Sequence, residues 1–290
     1  MILVTGATGH LGKAVINFLL QKGTKADKII ALVRDEAKAA DLKEKGVILR
    51  KGDYHDYASL SSAFKGVEKL LLVSSDDFND RSGQHINVVN AAKETGVKHI
   101  VYTSVHGRED KPSSIPFVVQ SHLDTENALK NSGLHYTILR NTLYADILPM
   151  FIGEKVAETG VFIPAGNGKA PFATRLDMAE AAAIVLSTPG HEHKIYSIAS
   201  STAYSFSDIA ATLSELAGKT IPYVDADPLQ YKETLTRAGV PSEYIGFMGG
   251  FAEAIKKDEF NATSQDLEIL LGRKPASLKE FLKTAYFSNN

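Results

Sequence analysis

Ile2-Leu3-Val4-Thr5-Gly6-Ala7-Thr8-Gly9-His10-Leu11-Gly12 follows Met1, and the reading of this stretch decides the fold. A short apolar run turns through glycines spaced G-x-x-G-x-x-G straight into a helical pattern at Leu11, Val15, Phe18 and Leu19. Such a turn lets the backbone approach a pyrophosphate. Its charge then meets free N–H groups and the positive end of the helix, worth roughly 0.3–1 kcal/mol, or more when partly buried. The alternative is a glycine turn that merely packs helix on strand; its place at the first strand of a β-α-β series favours dinucleotide binding. Gly6, Ala7, Thr8, Gly9, His10, Leu11 and Gly12 are therefore the first candidate cofactor contacts.

Outward from this turn the same alternation repeats to about residue 140. Apolar runs at 2–5, 28–33, 47–51, 69–73, 99–103 and 135–140 read as strands. Being mostly apolar rather than alternating, they predict strands covered on both faces. Helical patterns begin near Leu11, Ala37, Tyr57, Ser82 and Ser121, several stopped by a glycine, at Gly23, Gly46, Gly66, Gly96 and Gly133. Units of this size are right-handed crossovers, so the fold class is α/β: a Rossmann-like doubly wound parallel sheet with a smaller, mostly helical C-terminal lobe. After Arg140 the rhythm breaks. Residues 164–174, PAGNGKAPFAT, are too long and too rich in glycine and proline for a tight turn. Capping patterns at 205–208 (SFSD), 263–266 (TSQD) and 277–280 (SLKE) then announce the helices of the lobe. The expected organisation is a cofactor-binding domain over residues 1–145 and a substrate lobe over 146–290 packed on it, a return of strands to the sheet being left open.

Composition narrows the classes. The 290 residues are 44% hydrophobic, enough to fill a large core and to exclude disorder as the main state. With 32 basic against 34 acidic side chains the net charge is −2, without the basic excess that nucleic-acid phosphates or anionic lipid would call for, so neither partner is expected. There is no cysteine, which removes disulfides, thiolate nucleophiles, iron–sulfur clusters and Cys-ligated zinc. No basic segment precedes the first apolar run and no stretch of about 18 apolar residues occurs. The expectation is a soluble, non-exported, cytoplasmic protein. His191-Glu192-His193 lacks the helical spacing of a zinc pair, Asp76-Asp77 reads as an exposed loop, and neither a nucleophile elbow nor a P-loop is present, so no metal site is expected.

About 20 residues past the glycine turn, where a carboxylate would meet the ribose 2′-hydroxyl of NAD, the second strand ends in Val33-Arg34-Asp35. Arg34 comes first. A guanidinium suits a 2′-phosphate by charge and by paired hydrogen bonds, so NADP(H) is the expected cofactor, with NAD(H) on Asp35 the weaker alternative. Lys38 would add a second positive charge. TGATGHLG, with ALVRD at the second strand, GDYHDYASL after the third and YTILRN at the sixth, resembles the atypical short-chain dehydrogenases of the NmrA-like group. LRNTLYADIL, TRLDMAEAAAIVLSTPGHEHKIY and SFSDIAATLSELAGK extend the resemblance over most of the chain. The group holds NAD(P)H:quinone and triphenylmethane dye reductases together with redox-sensing regulators. The resemblance implies that Asp53 and Tyr54 border the adenine and that Thr103 and Ser104 occupy the place of the group's hydroxyl residue. Ser74 and Ser75, after the fourth strand, would flank the central ribose.

Short-chain dehydrogenases that reduce unactivated carbonyls commonly use a tyrosine proton donor with a lysine four residues on. None of the tyrosines, at 54, 57, 102, 136, 144, 196, 204, 223, 231, 244 and 286, has that lysine. In FVVQSHLDTENALK the tyrosine place holds Val118 and the lysine place His122. A positioned general acid commonly contributes about 100- to 10,000-fold, so epimerisation of sugar nucleotides and alcohol oxidation are disfavoured. A quinone or cationic triarylmethane dye takes hydride into a delocalised system and needs proximity and an apolar pocket more than an acid. Asn141 and Tyr144, at the carboxyl edge after the sixth strand, are candidate catalytic residues: Tyr144 donating to a quinone oxygen, Asn141 binding cofactor or substrate. A helix-cap asparagine beside a core tyrosine is the alternative. His122 would hold the nicotinamide ribose or relay a proton, unless it is a surface helix histidine. Phe172 and the FMGGF run at 247–251 would wall the pocket or fill the core. The expected function is an NADPH-dependent oxidoreductase acting directly on a small quinone or similar aromatic acceptor. The alternative is a non-catalytic NADP(H)-sensing regulator of the same fold, and the oligomeric state stays open.

Overall fold

The computed structural model describes residues 1–77, 79–107 and 112–288. Its apolar runs form β1 (Ile2–Val4), β2 (Ile29–Val33), β3 (Ile48–Lys51), β4 (Lys69–Leu72), β5 (His99–Val105) and β6 (His135–Asn141), all parallel, in the order β3-β2-β1-β4-β5-β6. Between them run α1 (His10–Gln21), α2 (Ala40–Glu44), α3 (Tyr57–Ala63), α4 (Arg81–Glu94) and α5 (Pro116–Asn131). Alternation along each strand fills two cores. Leu3, Ile30, Leu32, Leu70 and Leu72 pack against the face carrying α3, α4 and α5, while Val4, Ile29, Ala31, Val33 and Leu71 pack on the α1 face. Strands needed by both faces must be apolar throughout. The chain winds from β1 outward to β3 and then returns to place β4 on the other side of β1. The crossovers therefore diverge between β1 and β4 and leave a crevice at their carboxyl ends.

The expected departure from sheet-building after Arg140 lasts only to Thr174. Past α6 (Leu148–Ile152), α7 (Val156–Thr159), β7 (Val161–Ile163) and β8 (Lys169–Ala170), the chain returns with α8 (Arg175–Ser187), which packs on α1, and β9 (Lys194–Ile198), which pairs in parallel with β6. Their signals are weak for physical reasons. α8 buries Ala179, Ala181, Ala182, Ala183 and Val185 on several sides and shows no single stripe, and β9 is an edge strand with Lys194 and Ile195 exposed.

The lobe then adds β10 (Tyr204–Ser205), α9 (Phe206–Ala217), β11 (Tyr223–Asp225), α10 (Pro228–Arg237), α11 (Ser242–Lys256), α12 (Asp266–Leu271) and α13 (Leu278–Phe287). Ser205 with Asp208 and Ser277 with Glu280 form complete capping boxes. The third expected cap is corrected: Thr263 caps nothing, and Asp266 instead accepts from the Ser197 N–H at 2.8 Å, covering the edge strand. α5 begins at Pro116 rather than near Ser121, because proline at the first turn gives up an N–H that has no helical partner anyway. The segment after Arg34 runs as a tight turn over Glu36–Ala39 before α2 starts at Ala40. Phe172, Met248 and Phe251 are buried in the lobe's core, and Phe251 stacks on Phe260 with centroids 5.8 Å apart. For these residues the structure selects core over pocket wall.

Candidate active site

The glycine turn has the shape its spacing predicts. Gly6 takes φ +57°, a left-handed conformation, and a side chain there would press on Val73, its Cβ 3.2 Å from the Val73 Cβ. Gly9 caps α1, its N–H donating to the Gly6 carbonyl at 2.9 Å. Gly12 lets the helix close on the turn, since a Cβ there would lie 2.3 Å from the Gly6 oxygen. No side chain caps α1 and no acid stands in its first turn, so its leading N–H groups remain free for an anion. Ala7, Leu11 and Gly12 are buried as packing; Thr8 and His10 are exposed.

Beside the turn lies a cleft bordered by Gly6, Thr8, Arg34, Asp53, Tyr54, Ser74 and Ser75, seven of the residues singled out from sequence. Arg34 is exposed on its rim, and no ion pair joins it to a carboxylate among the described residues. Asp35 turns to its own chain and accepts from the Ala37 N–H at 3.0 Å. On the cleft rim the available charge is thus the guanidinium, while the carboxylate caps a turn, a disposition suited to a phosphate rather than a ribose hydroxyl. The Tyr54 hydroxyl is held by Thr5 and by the Val73 carbonyl at 2.8 Å, leaving its ring as cleft wall. Two cleft residues lay outside the sequence candidates. His55 Nε2 meets Asp77 Oδ2 at 3.0 Å across the mouth, and Gln84 accepts from the Ser75 hydroxyl at 2.9 Å.

Thr103 does not reach the cleft. It is buried behind Ser74, whose N–H donates to its Oγ1 at 2.9 Å. Ser104 is also committed: it donates at 2.8 Å to the buried Glu126, which Arg140 grips through Nε at 2.9 Å and Nη2 at 2.7 Å. Burial works against ionising Glu126, but Arg140, Ser104 and Lys130 together outweigh it and hold the carboxyl below its usual range.

His122 is not a surface histidine. Only 4% exposed, it accepts from Arg81 Nη2 at Nε2, 3.0 Å away. Its other nitrogen, Nδ1, therefore carries the proton and donates to the Tyr102 oxygen at 2.7 Å. His85 is fixed likewise. Its Nε2 accepts from the Ser75 N–H at 2.8 Å and its Nδ1 donates to Thr125 at 2.9 Å. Burial first, then Arg81, pushes His85 down to about 3 and His122 well below the ordinary imidazole value, so both rings are neutral. Asn141 is buried at the end of β6, and the nearby Tyr144 ring lies 5.0 Å beneath the Arg175 guanidinium. Burial pushes the Tyr144 phenol up against the pull of Asn141, Arg175 and Arg81, keeping it a hydroxyl donor. Arg81 touches His122 and bears electrostatically on Tyr144, and so ties the two candidates together. The signal for it was the polar face Arg81, Gln84 and His85, which continues at helical spacing into buried Val88 and Ala92 where a stripe of apolar residues was due.

Elsewhere the His191-Glu192-His193 turn is tied into the sheet's opposite end. His191 contacts Thr188 and Tyr196 at 2.8 Å each, and His193 meets His135 at 2.9 Å. Among the described residues no three His, Asp or Glu side chains converge as a metal site, and no helix is long and apolar enough to cross a membrane.

Known proteins share this layout. Quinone oxidoreductase 2 of Escherichia coli is 39% identical over 291 residues, covering 100% of each chain. NAD(P)H azoreductase of Xenophilus azovorans is 31% identical over 98% of this chain and 97% of its own. The crystal structure of Citrobacter sp. triphenylmethane reductase complexed with NADP(H) superposes with a TM-score of 0.92 at 40% identity, over 98% of this chain and 100% of that one. Residues 1–285 match the NmrA-like family, and with the glycine turn, the Arg34 rim and the relay-free α5 in place, the chain belongs to that family.

Proposed function

We propose that the protein is an NADPH-dependent oxidoreductase that passes hydride directly to a quinone or similarly delocalised aromatic acceptor. The observation that carries this reading is His122: it occupies the relay lysine's place, is buried and neutral, and has both nitrogens engaged by Arg81 and Tyr102. A carbonyl needing a strong acid would find none there; an acceptor that delocalises charge does not need one. The nicotinamide, when bound, supplies the hydride. The free N–H groups after Gly9 and the Arg34 guanidinium would hold the cofactor's phosphates, Asp53 and Tyr54 would border its adenine, and Ser74 and Ser75 would flank its ribose. Asn141 and Tyr144 orient the acceptor, Tyr144 by donating its hydroxyl, and the lobe after residue 145 closes the acceptor's side. Relatives named for quinone, azo and triphenylmethane substrates support a small aromatic acceptor. The setting is the cytoplasm, where reduced pyridine nucleotides circulate.

The test is loss of NADPH absorbance with purified protein and a panel of quinones and dyes, against a control without protein. Acceptor-dependent oxidation is expected. Tight NADPH binding with no oxidation by any acceptor would replace this reading with that of a regulator.

A further inference from the structure

Arg81 opens α4 with its side chain half-buried, and it is joined to no carboxylate among the described residues. All its hydrogen bonds go to neutral acceptors: Nε to the Ser75 carbonyl at 2.6 Å, Nη1 to the Ser121 hydroxyl at 3.2 Å, and Nη2 to His122 Nε2 at 3.0 Å. The neighbouring carboxylates do not touch it. Asp80 caps α4 through the Gly83 N–H, Asp124 accepts from Ser82 and Gln120, Glu126 is held by Arg140, Ser104 and Lys130, and exposed Asp76 bears on Arg81 only through space. The helix end on which Arg81 stands is itself positive, so nothing in its own element neutralises it. His85 and His122, the titratable groups facing it from α4 and α5, are neutral.

A half-buried cation that touches no carboxylate among the described residues is costly unless its field is used. Its place says where. Ser75, whose carbonyl it holds, borders the cofactor cleft, and the Tyr144 phenol feels its charge. We infer that Arg81 is the specificity-determining charge of the acceptor site, favouring neutral acceptors that become anionic on taking up hydride, the quinones, over cationic dyes. This rests on the reductase reading above. A neutral quinone plus hydride gives the hydroquinone monoanion, the two electrons coming from NADPH, and a proton from solvent completes the hydroquinone. A cationic triarylmethane dye takes the same hydride at its central carbon and becomes neutral. A fixed guanidinium stabilises the first product and its transition state, and opposes binding of the second substrate. Arg81 stands in for the relay lysine's charge, delivered from a different helix.

Two readouts test this, one independent of turnover. In the NADP⁺-loaded protein, 4-nitrophenol should bind preferentially as phenolate, its absorbance showing a pKa lowered by about one unit. Arg81→Gln, which keeps a donor for Ser75 but no charge, should abolish the shift, and Arg81→Lys should restore most of it. The ratio of quinone to cationic-dye kcat/KM should fall about tenfold or more in Arg81→Gln and recover in Arg81→Lys. A nitrophenol shift absent from the unmutated protein would overturn the inference whatever the variants do. So would a loss shared equally by both acceptors, which would mean only a disturbed fold. Failure of the unmutated protein to reduce any acceptor would remove the reductase reading itself, whereas an unchanged acceptor ratio in an active enzyme would remove the Arg81 assignment alone.

Discussion

At Arg34 the cofactor choice reduces to one side chain. It stands exposed on the cleft rim with Asp35 tied to the Ala37 N–H, so on the proposed reading the phosphate of NADPH would meet a cation and the bare ribose of NADH would gain little. A charged hydrogen bond contributes about 1.5–3 kcal/mol, so Arg34→Ala should weaken NADPH binding roughly tenfold or more and leave NADH nearly unaffected. Titration of both cofactors decides it; equal affinities in the unmutated protein would remove the 2′-phosphate assignment. Tyr144 tests the other end. If protonation is not limiting, Tyr144→Phe costs only one neutral hydrogen bond, about 0.5–1.5 kcal/mol in single-turnover hydride transfer, where loss of an essential acid would abolish turnover. Arg34 was legible because its position follows from the strand that ends beside it. Arg81 showed only as part of a polar helix face: its meaning depends on His122, 41 residues away on another helix, and only the packing of α4 against α5 brings the two together.

The element that concentrates the chemistry is the β1–α1 turn, and its glycines do different work. At Gly9 a Cβ would lie 3.3 Å from the Gly6 oxygen, tight but tolerable, while the branches of a larger side chain would cover the free N–H groups. Gly9→Val should therefore leave the fold intact and weaken NADPH binding by a hundredfold or more, about 2.8 kcal/mol. At Gly12 a Cβ would sit 2.3 Å from the Gly6 oxygen and 2.9 Å from the Thr5 oxygen, both backbone. Gly12→Val should thus lower the thermal midpoint as well, by the roughly 1–3 kcal/mol typical of overpacking. Similar midpoints for the two variants would show that the turn relaxes freely. The same local logic made most helices readable. It failed at α5 because Pro116 starts the helix ahead of the apolar Phe117-Val118-Val119 run, and at α12 because Asp266 serves the edge of β9 and no hydroxyl at Thr263 caps the helix.

Across the whole molecule the parallel sheet was legible because strands buried on both faces carry their own signature. The return of α8 and β9 was hidden, since a helix packed on several sides and an exposed edge strand lack one. That architecture also buries histidines. His85 is pushed down to about 3 by burial and Arg81, and His99, under the sheet's opposite end, to about 4 by burial and Lys69. An unfolded histidine titrates near 6.5. Between that value and the folded ones the unfolded chain binds more protons, so stability must fall as pH falls. The contribution is complete above about 6.5, declines by up to about 1.4 kcal/mol per unit and per histidine below it, and is exhausted near 4 for His99 and near 3 for His85. Glu126, held ionised by Arg140, adds its own loss only at lower pH, in the carboxylate range. Urea unfolding midpoints should therefore drop between pH 7 and 5, before carboxylates protonate. Replacing His85 by asparagine, which can still accept from the Ser75 N–H, should flatten part of that slope. A midpoint constant from pH 7 to 5 would show that these imidazoles gain protons without unfolding the chain, and the neutral network around Arg81 would have to be redrawn.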